Sequence, residues 1–160
     1  MRKVFLLTGF QNWGKTYLIK QLFSRSRFHK GSTYSFGDHD FLVLPQSNDD
    51  LGKDGYEDAY EKRIEELGKN GIEPKYIFSA FCPTKEPQNL SAKIINNLYA
   101  RDNVIVIPIE YKWCEHARLQ LPEISSYFSP LPNVSISPLS GKDPSKKLAT
   151  LQKIVLSNLP

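Results

Sequence analysis

The stretch Lys3-Val4-Phe5-Leu6-Leu7-Thr8-Gly9-Phe10-Gln11-Asn12-Trp13-Gly14-Lys15-Thr16 decides how the rest of the chain is read. Its first six residues are an apolar run of strand length, of the kind buried on both faces of a sheet. Gly9 to Thr16 then satisfies G-x-x-x-x-G-K-[ST], and that spacing has a physical reason. Two glycines let the backbone curl so that successive N–H groups point at one centre, which suits phosphate oxygens. Lys15 reaches the outer phosphates of a nucleotide, and the Thr16 hydroxyl is the predicted Mg²⁺ ligand. From Leu18 the pattern turns helical, with Leu18, Ile19, Leu22 and Phe23 on one face. The loop therefore opens a helix whose positive dipole end faces the same anion. Gly9, Asn12, Trp13, Gly14, Lys15, Thr16 and Tyr17 are the predicted nucleotide-binding residues. Trp13 is bulky for such a loop and is expected to shield the nucleotide or narrow the site.

Outward from this unit, short apolar runs alternate with stretches of helical period, the signature of an α/β layer fold. Thr33 to Phe36 reads as a second strand, with Phe41 to Leu44 either its continuation or a loop anchor before Pro45. Pro45 to Gly55 reads as a polar, mobile loop. Tyr56 to Leu67 is helical, with Tyr56, Tyr60, Ile64 and Leu67 aligned. Lys75 to Phe81, Asn103 to Ile109 and Asn133 to Pro138 are further strands, and Asn89 to Tyr99 is a helix. A weaker helical piece covers about Cys114 to Leu121. A closing helix runs from Asp143 to Leu159, with Asp143 as N-cap and Pro144 in its first turn. The expectation is one three-layer α/β/α domain over residues 1–160, with a mainly parallel sheet of about five strands.

Composition narrows the class. The chain has 160 residues, 40% of them hydrophobic and 24% charged, as a folded globular domain requires. No run of 18 apolar residues spans a membrane. Arg2, Lys3 and the apolar run begin like a signal peptide but continue into Gln11, Asn12 and Lys15 without a cleavage site. Two cysteines, Cys82 and Cys114, suit a reducing, cytoplasmic setting and are expected to be buried and inert. No histidine or cysteine pair has zinc-ligand spacing. The formal charge of +4 is unevenly laid out: residues 1–37 carry seven Lys or Arg and no acid, residues 38–73 eleven acids and four bases. A basic first third suits a held anion. Arg25, Arg27, His29 and Lys30 could touch a nucleic-acid backbone, although such domains often carry bases there, and nucleic acid is not the preferred partner.

The loop in its strand–helix setting resembles that of the P-loop NTPase superfamily. Hydrolysing switches of the GTPase type carry Asp-x-x-Gly and Asn-Lys-x-Asp elements that are missing here. Motor NTPases end a strand in an acid, for which only Glu110 could stand in. Residues 37–86 more closely resemble the adenylylsulfate kinase group, which has an Asp-Gly-Asp-like element where Gly37-Asp38-His39-Asp40 stands, and a Leu-Gly loop like Leu51-Gly52. In that group the third strand ends in Ser and Pro, as Ser79 and Pro83 do here. The resemblance implies a small ATP-dependent (or GTP-dependent) phosphotransferase that uses Mg²⁺, acting on a hydroxyl of a small molecule or a nucleic-acid end. Asp38 is then the first choice for the base at the acceptor and Asp40 the second, with Arg118 closing over the phosphates as a lid residue. The alternative is a nucleotide-dependent switch or assembly subunit with slow turnover.

Overall fold

Six strands, β1 (Lys3–Thr8), β2 (Tyr34–Phe36), β3 (His39–Leu44), β4 (Tyr76–Phe81), β5 (Asn103–Pro108) and β6 (Val134–Ile136), form one sheet in the order β2-β3-β4-β1-β5-β6. The computed structural model describes residues 1–113 and 117–160, so the expectation for Cys114 lies outside the described residues. All neighbouring strands run parallel except β2, which is antiparallel to β3. β1 lies between β4 and β5, and its side chains from Val4 to Thr8 are buried. That position explains its unbroken apolar run, since both faces of a central parallel strand are covered.

Among the described residues five α-helices cover the two faces: α1 (Lys15–Phe23), α2 (Asn48–Lys69), α3 (Ser91–Tyr99), α4 (Leu121–Phe128) and α5 (Lys147–Ser157). α1 packs beside α5, and α2 beside α3. Right-handed crossovers account for this division: the chain moves one way across the sheet from β1 to β3 and the other way from β3 to β4 and onward. The result is the expected three-layer α/β/α arrangement with a mainly parallel sheet. Under α1 the rings of Phe5, Phe23, Phe41 and Phe78 meet edge-on or offset, with centroids 5.4 to 6.1 Å apart.

Three local expectations are corrected. Phe41 to Leu44 belongs to a full central strand, making six strands rather than five. The stretch expected to be a mobile polar loop is largely helical: Ser47 caps α2, its side chain accepting from the N–H groups of Asp49 and Asp50 while Asp50 returns a bond to the Ser47 backbone. Gly52, at φ 72°, breaks α2 into a short first turn and a longer second part. No helix covers Ala117 to Gln120. Tyr111 instead bridges antiparallel to Arg118, and the helix begins at Leu121, with Pro122 in its first turn.

Candidate functional site

Parallel strands all point their carboxyl ends to one edge, and loops from several strands converge there. Gly9 follows β1 and donates its N–H to the Phe81 carbonyl at the end of β4, at 3.0 Å. Asn12 and Gly14 both take positive φ, 66° and 84°, which turns the chain sharply enough for α1 to start at Lys15. Trp13 is buried, with its Cβ packed close to Gly9, so its bulk fills the underside of the loop. The Lys15 ammonium, also buried, donates to the Gly9 carbonyl and, at 3.3 Å, to that of Phe10. Burial holds its pKa below the ordinary lysine value, against the raising influence of Cys82, Asp50 and Asp49. No side chain caps the first turn of α1, so its leading N–H groups stand available to an anion.

The neighbouring loops supply acids and rigidity. Thr16 Oγ1 donates to the Pro45 carbonyl at 3.2 Å, linking the helix start to the end of β3. Beyond Pro45, Asn48 is fully buried and grips the Cys82 backbone twice: its Oδ1 accepts from the Cys82 N–H at 2.7 Å and its Nδ2 donates to the Cys82 carbonyl at 3.0 Å. Asn89 completes the knot by donating to the Asn48 carbonyl at 3.0 Å. The knot holds exposed Asp49 and Asp50 within electrostatic range of Lys15. Asp50 is engaged by the Ser47 cap, whereas Asp49 only donates its backbone N–H there. Cys82 occupies the end of β4, where burial first, against Lys15, pushes its thiol up to about 11.

A ribbon after β5 closes the other side. Glu110 is buried and accepts from Arg118 Nε at 2.8 Å, with backbone bonds Leu119 N–H to Glu110 and Lys112 N–H to Ala117 tying its two arms. Burial opposes ionisation of Glu110, but bonds from Ser140, Arg118 and Tyr111 bring its pKa below the usual carboxylate value. The guanidinium of Arg118 and the ammonium of Lys142 lie over the Tyr111 ring at 5.5 and 5.1 Å, and Lys147 donates to the Tyr111 carbonyl. From this ribbon Trp113 reaches over to the loop, its indole N–H donating to the Asn12 carbonyl at 3.1 Å.

The predicted residues divide. Gly9, Asn12, Trp13, Gly14, Lys15 and Thr16 come together, and Tyr17 stands exposed on the first turn of α1. Asp38 and Asp40 do not join them. Gly37 and Asp38, both at positive φ (58° and 61°), form the two-residue connection between β2 and β3, where Phe36 pairs with His39. Asp40 accepts from Ser35 across the hairpin at 2.6 Å. This turn leads into the amino end of β3, and both acids line a cavity of about 370 Å³ with Glu73, Lys75 and Tyr76, at the sheet edge opposite the loop. Across a strand such as β3 (6 residues) the two edges are about 20 Å apart. Asp38 is a turn residue because αL geometry suits Asp, and the expectation that it faces the acceptor is corrected. Arg118 is on the right edge, but its guanidinium is spent on Glu110 and Tyr111. Asn48, Asp49, Asp50 and Trp113 are not singled out by the sequence, although the acidic stretch Gln46 to Asp58, which holds the first three, is expected on the acceptor side as a lid. The Ser47-x-x-Asp50 spacing resembles a capping box and was the available signal for Asp49 and Asp50.

No known protein family's sequence profile matches the chain, and no curated protein matches it in sequence. Over 99% of both chains the structure is similar to that of the shikimate kinase from Bacteroides thetaiotaomicron, with 9% identity and a TM-score of 0.40. Likeness of that size leaves the reading of the site to its own geometry. No described helix is long and apolar enough to cross a membrane.

Proposed function

We propose that the chain binds a nucleoside triphosphate, ATP or GTP, together with Mg²⁺ at Gly9–Thr16, and passes the terminal phosphoryl group to a hydroxyl. The observation that carries this reading is the state of Lys15. It is buried beneath a loop whose own carbonyls hold its ammonium, directly ahead of an uncapped helix start. A surface lysine beside an ordinary glycine turn would be solvated instead.

The residues fit the group. The loop N–H groups and Lys15 would hold the phosphates, and the exposed Thr16 hydroxyl, bonded only to a carbonyl, is free to turn toward the metal. When bound, Mg²⁺ supplies neutralisation of charge on the phosphate oxygens. The chain's part is then to position and to accept a proton. Asp49 takes the place expected for Asp38: it is exposed and within electrostatic range of Lys15, so an acceptor hydroxyl there can give its proton to the carboxylate as its oxygen bonds to phosphorus and the bond from phosphorus to the departing nucleoside diphosphate breaks. Asn48 fixes that carboxylate by anchoring the turn to β4.

The test is transfer of terminal-phosphate label from ATP and GTP to a pool of nucleosides, sugars and 5′-hydroxyl oligonucleotides. Lys15→Ala should abolish nucleotide binding. Asp49→Asn should keep binding and lose transfer by roughly 10²-fold or more, the range of a removed general base. Asp38→Ala should match the wild type. Nucleotide held through Lys15 with no acceptor labelled, and no effect of Asp49→Asn, would instead support a nucleotide-dependent switch.

A further inference from the structure

The two helical layers differ in charge in a way the linear sequence hides. α2 carries most of the acids of the second third, and its lysines are paired there: Lys53 with Glu57 at 2.5 Å, Lys62 with Asp58 at 2.9 Å, Lys69 with Glu66 at 3.1 Å. The opposite layer, α1 against α5, holds no carboxylate on either helix. On α5 and the turn before it, Lys146, Ala149, Lys153 and Leu156 are exposed at helical spacing; on α1, Tyr17, Lys20 and Gln21 are. Arg25, Arg27 and Lys30 continue this exposed face beyond α1. None of these six cations makes an ion pair with a described residue. The acids at its ends are Asp143, which caps the turn before α5, and Asp38 and Asp40 of the hairpin.

A second observation points to what lies on it. Phe10, Tyr17 and Trp113 are the large aromatic side chains left exposed among the described residues, at 44%, 64% and 59%. All three surround the head of this layer: Phe10 in the loop, Tyr17 on the first turn of α1, and Trp113 bonded to Asn12. An unpaired basic stripe too long for one nucleotide, headed by exposed rings, is the arrangement that binds single strands. Phosphates follow the charges and unpaired bases stack on the rings. Duplex would leave the rings without partners, because its bases are already stacked.

We infer that the α1/α5 face binds single-stranded nucleic acid, with its backbone along Lys20, Lys146 and Lys153 and bases on Tyr17 and Trp113. The inference does not depend on nucleotide binding at Gly9–Thr16. It is tested by fluorescence anisotropy of a labelled 20-nucleotide single strand and the matching duplex, against rising salt. The single strand should bind about tenfold or more tightly than the duplex, with log Kd rising steeply against log salt. Lys20→Glu with Lys153→Glu should weaken it at least tenfold and flatten the salt slope. Tyr17→Ala should weaken it about fivefold or more at unchanged slope. Circular dichroism checks that the variants fold, and ATP binding by the Lys20/Lys153 variant should equal wild type. Duplex or heparin binding as tightly as the single strand, or binding indifferent to the charge reversals, overturns the inference.

Discussion

The indole N–H of Trp113 donates to the Asn12 carbonyl at 3.1 Å, joining two residues 101 positions apart in the chain. This contact sits on the apex of the Gly9–Thr16 loop, because Asn12 is the residue whose φ of 66° turns the loop back on itself. A ligand that enters the loop must act on the same peptide. Trp113 is more than half exposed whereas Trp13 is buried, so their emissions differ in wavelength. Adding Mg-ATP should therefore change the red-shifted part of the emission, and Trp113→Phe should remove most of that change. The substitution deletes one exposed neutral bond and should cost under about 1 kcal/mol of stability. An unchanged emission from the wild type at saturating nucleotide would separate the ribbon from the site.

The hairpin that displaced Asp38 from the site gives a second prediction. Gly37 at φ 58° accepts no side chain without strain, and an added Cβ would stand 2.8 Å from Leu156 Cδ2. That contact is with the far end of a half-exposed side chain, which can rotate away, so the backbone supplies most of the cost. Gly37→Ala should destabilise by about 1 kcal/mol, and Asp38→Gly should be neutral or stabilise by a few tenths. Urea denaturation reads both. Phosphoryl transfer should be the same in the two variants, which distinguishes a turn residue from a base.

The contrast between Asp38 and Asp49 shows how far the residues could be read. The apolar run Lys3–Thr8, the loop and the buried face of α1 were legible because each depends on local pattern: a period, two glycines, a lysine at fixed offset. The layer order followed from alternation of strands and helices. What was not legible depends on long-range register. Phe41 to Leu44 reads either as a continuation of the second strand or as a loop anchor until β4 is laid parallel beside it, and only that pairing shows that Asp38 and Asp40 enter at the amino edge. Asp49 and Asp50 looked like loop residues because Gly52 and Gly55 advertise a turn, and the Ser47 cap that overrides them needs Asn48 locked onto Cys82. The basic layer was equally hidden, since α1 and α5 come from opposite ends of the chain.

Buried groups that ionise late set the alkaline limit of the fold. Burial pushes the Cys82 thiol up to about 11 and the Tyr56 and Tyr60 phenols up to about 12, and raises the Tyr99 phenol well above its ordinary value. Each folded pKa lies above its unfolded value, so the stabilisation is complete below the unfolded values. It is lost as pH rises through the window from about 9 to about 12. Thermal melts should fall steeply over that range and stay level between pH 6 and 8 as far as these groups are concerned. Cys82→Ala should soften the fall between pH 9 and 11. In the wild type Cys82 should resist iodoacetamide at pH 8, because both burial and a protonated sulfur oppose attack.

Asn48 couples stability to chemistry most directly. Its side chain satisfies both the N–H and the carbonyl of Cys82, and Asn89 returns a bond to its own carbonyl, all in buried surroundings. Asn48→Ala orphans two backbone groups at the end of β4, each costing about 1–3 kcal/mol when left dry. A loss of about 3 kcal/mol is expected from urea denaturation. The same change frees the turn that carries Asp49, while Gly9–Thr16 keeps the Gly9 bond to the Phe81 carbonyl of β4 and the Lys15 bonds. Nucleotide affinity should therefore stay within about threefold of wild type while transfer falls at least tenfold, measured at a temperature where the variant is folded. Asn48→Asp keeps the acceptor for the Cys82 N–H but sets a buried carboxylate oxygen against the Cys82 carbonyl, so it should destabilise at least as much as Asn48→Ala. Equal losses of binding and transfer in Asn48→Ala would mean that the knot supports the phosphate loop and not the acid beside it.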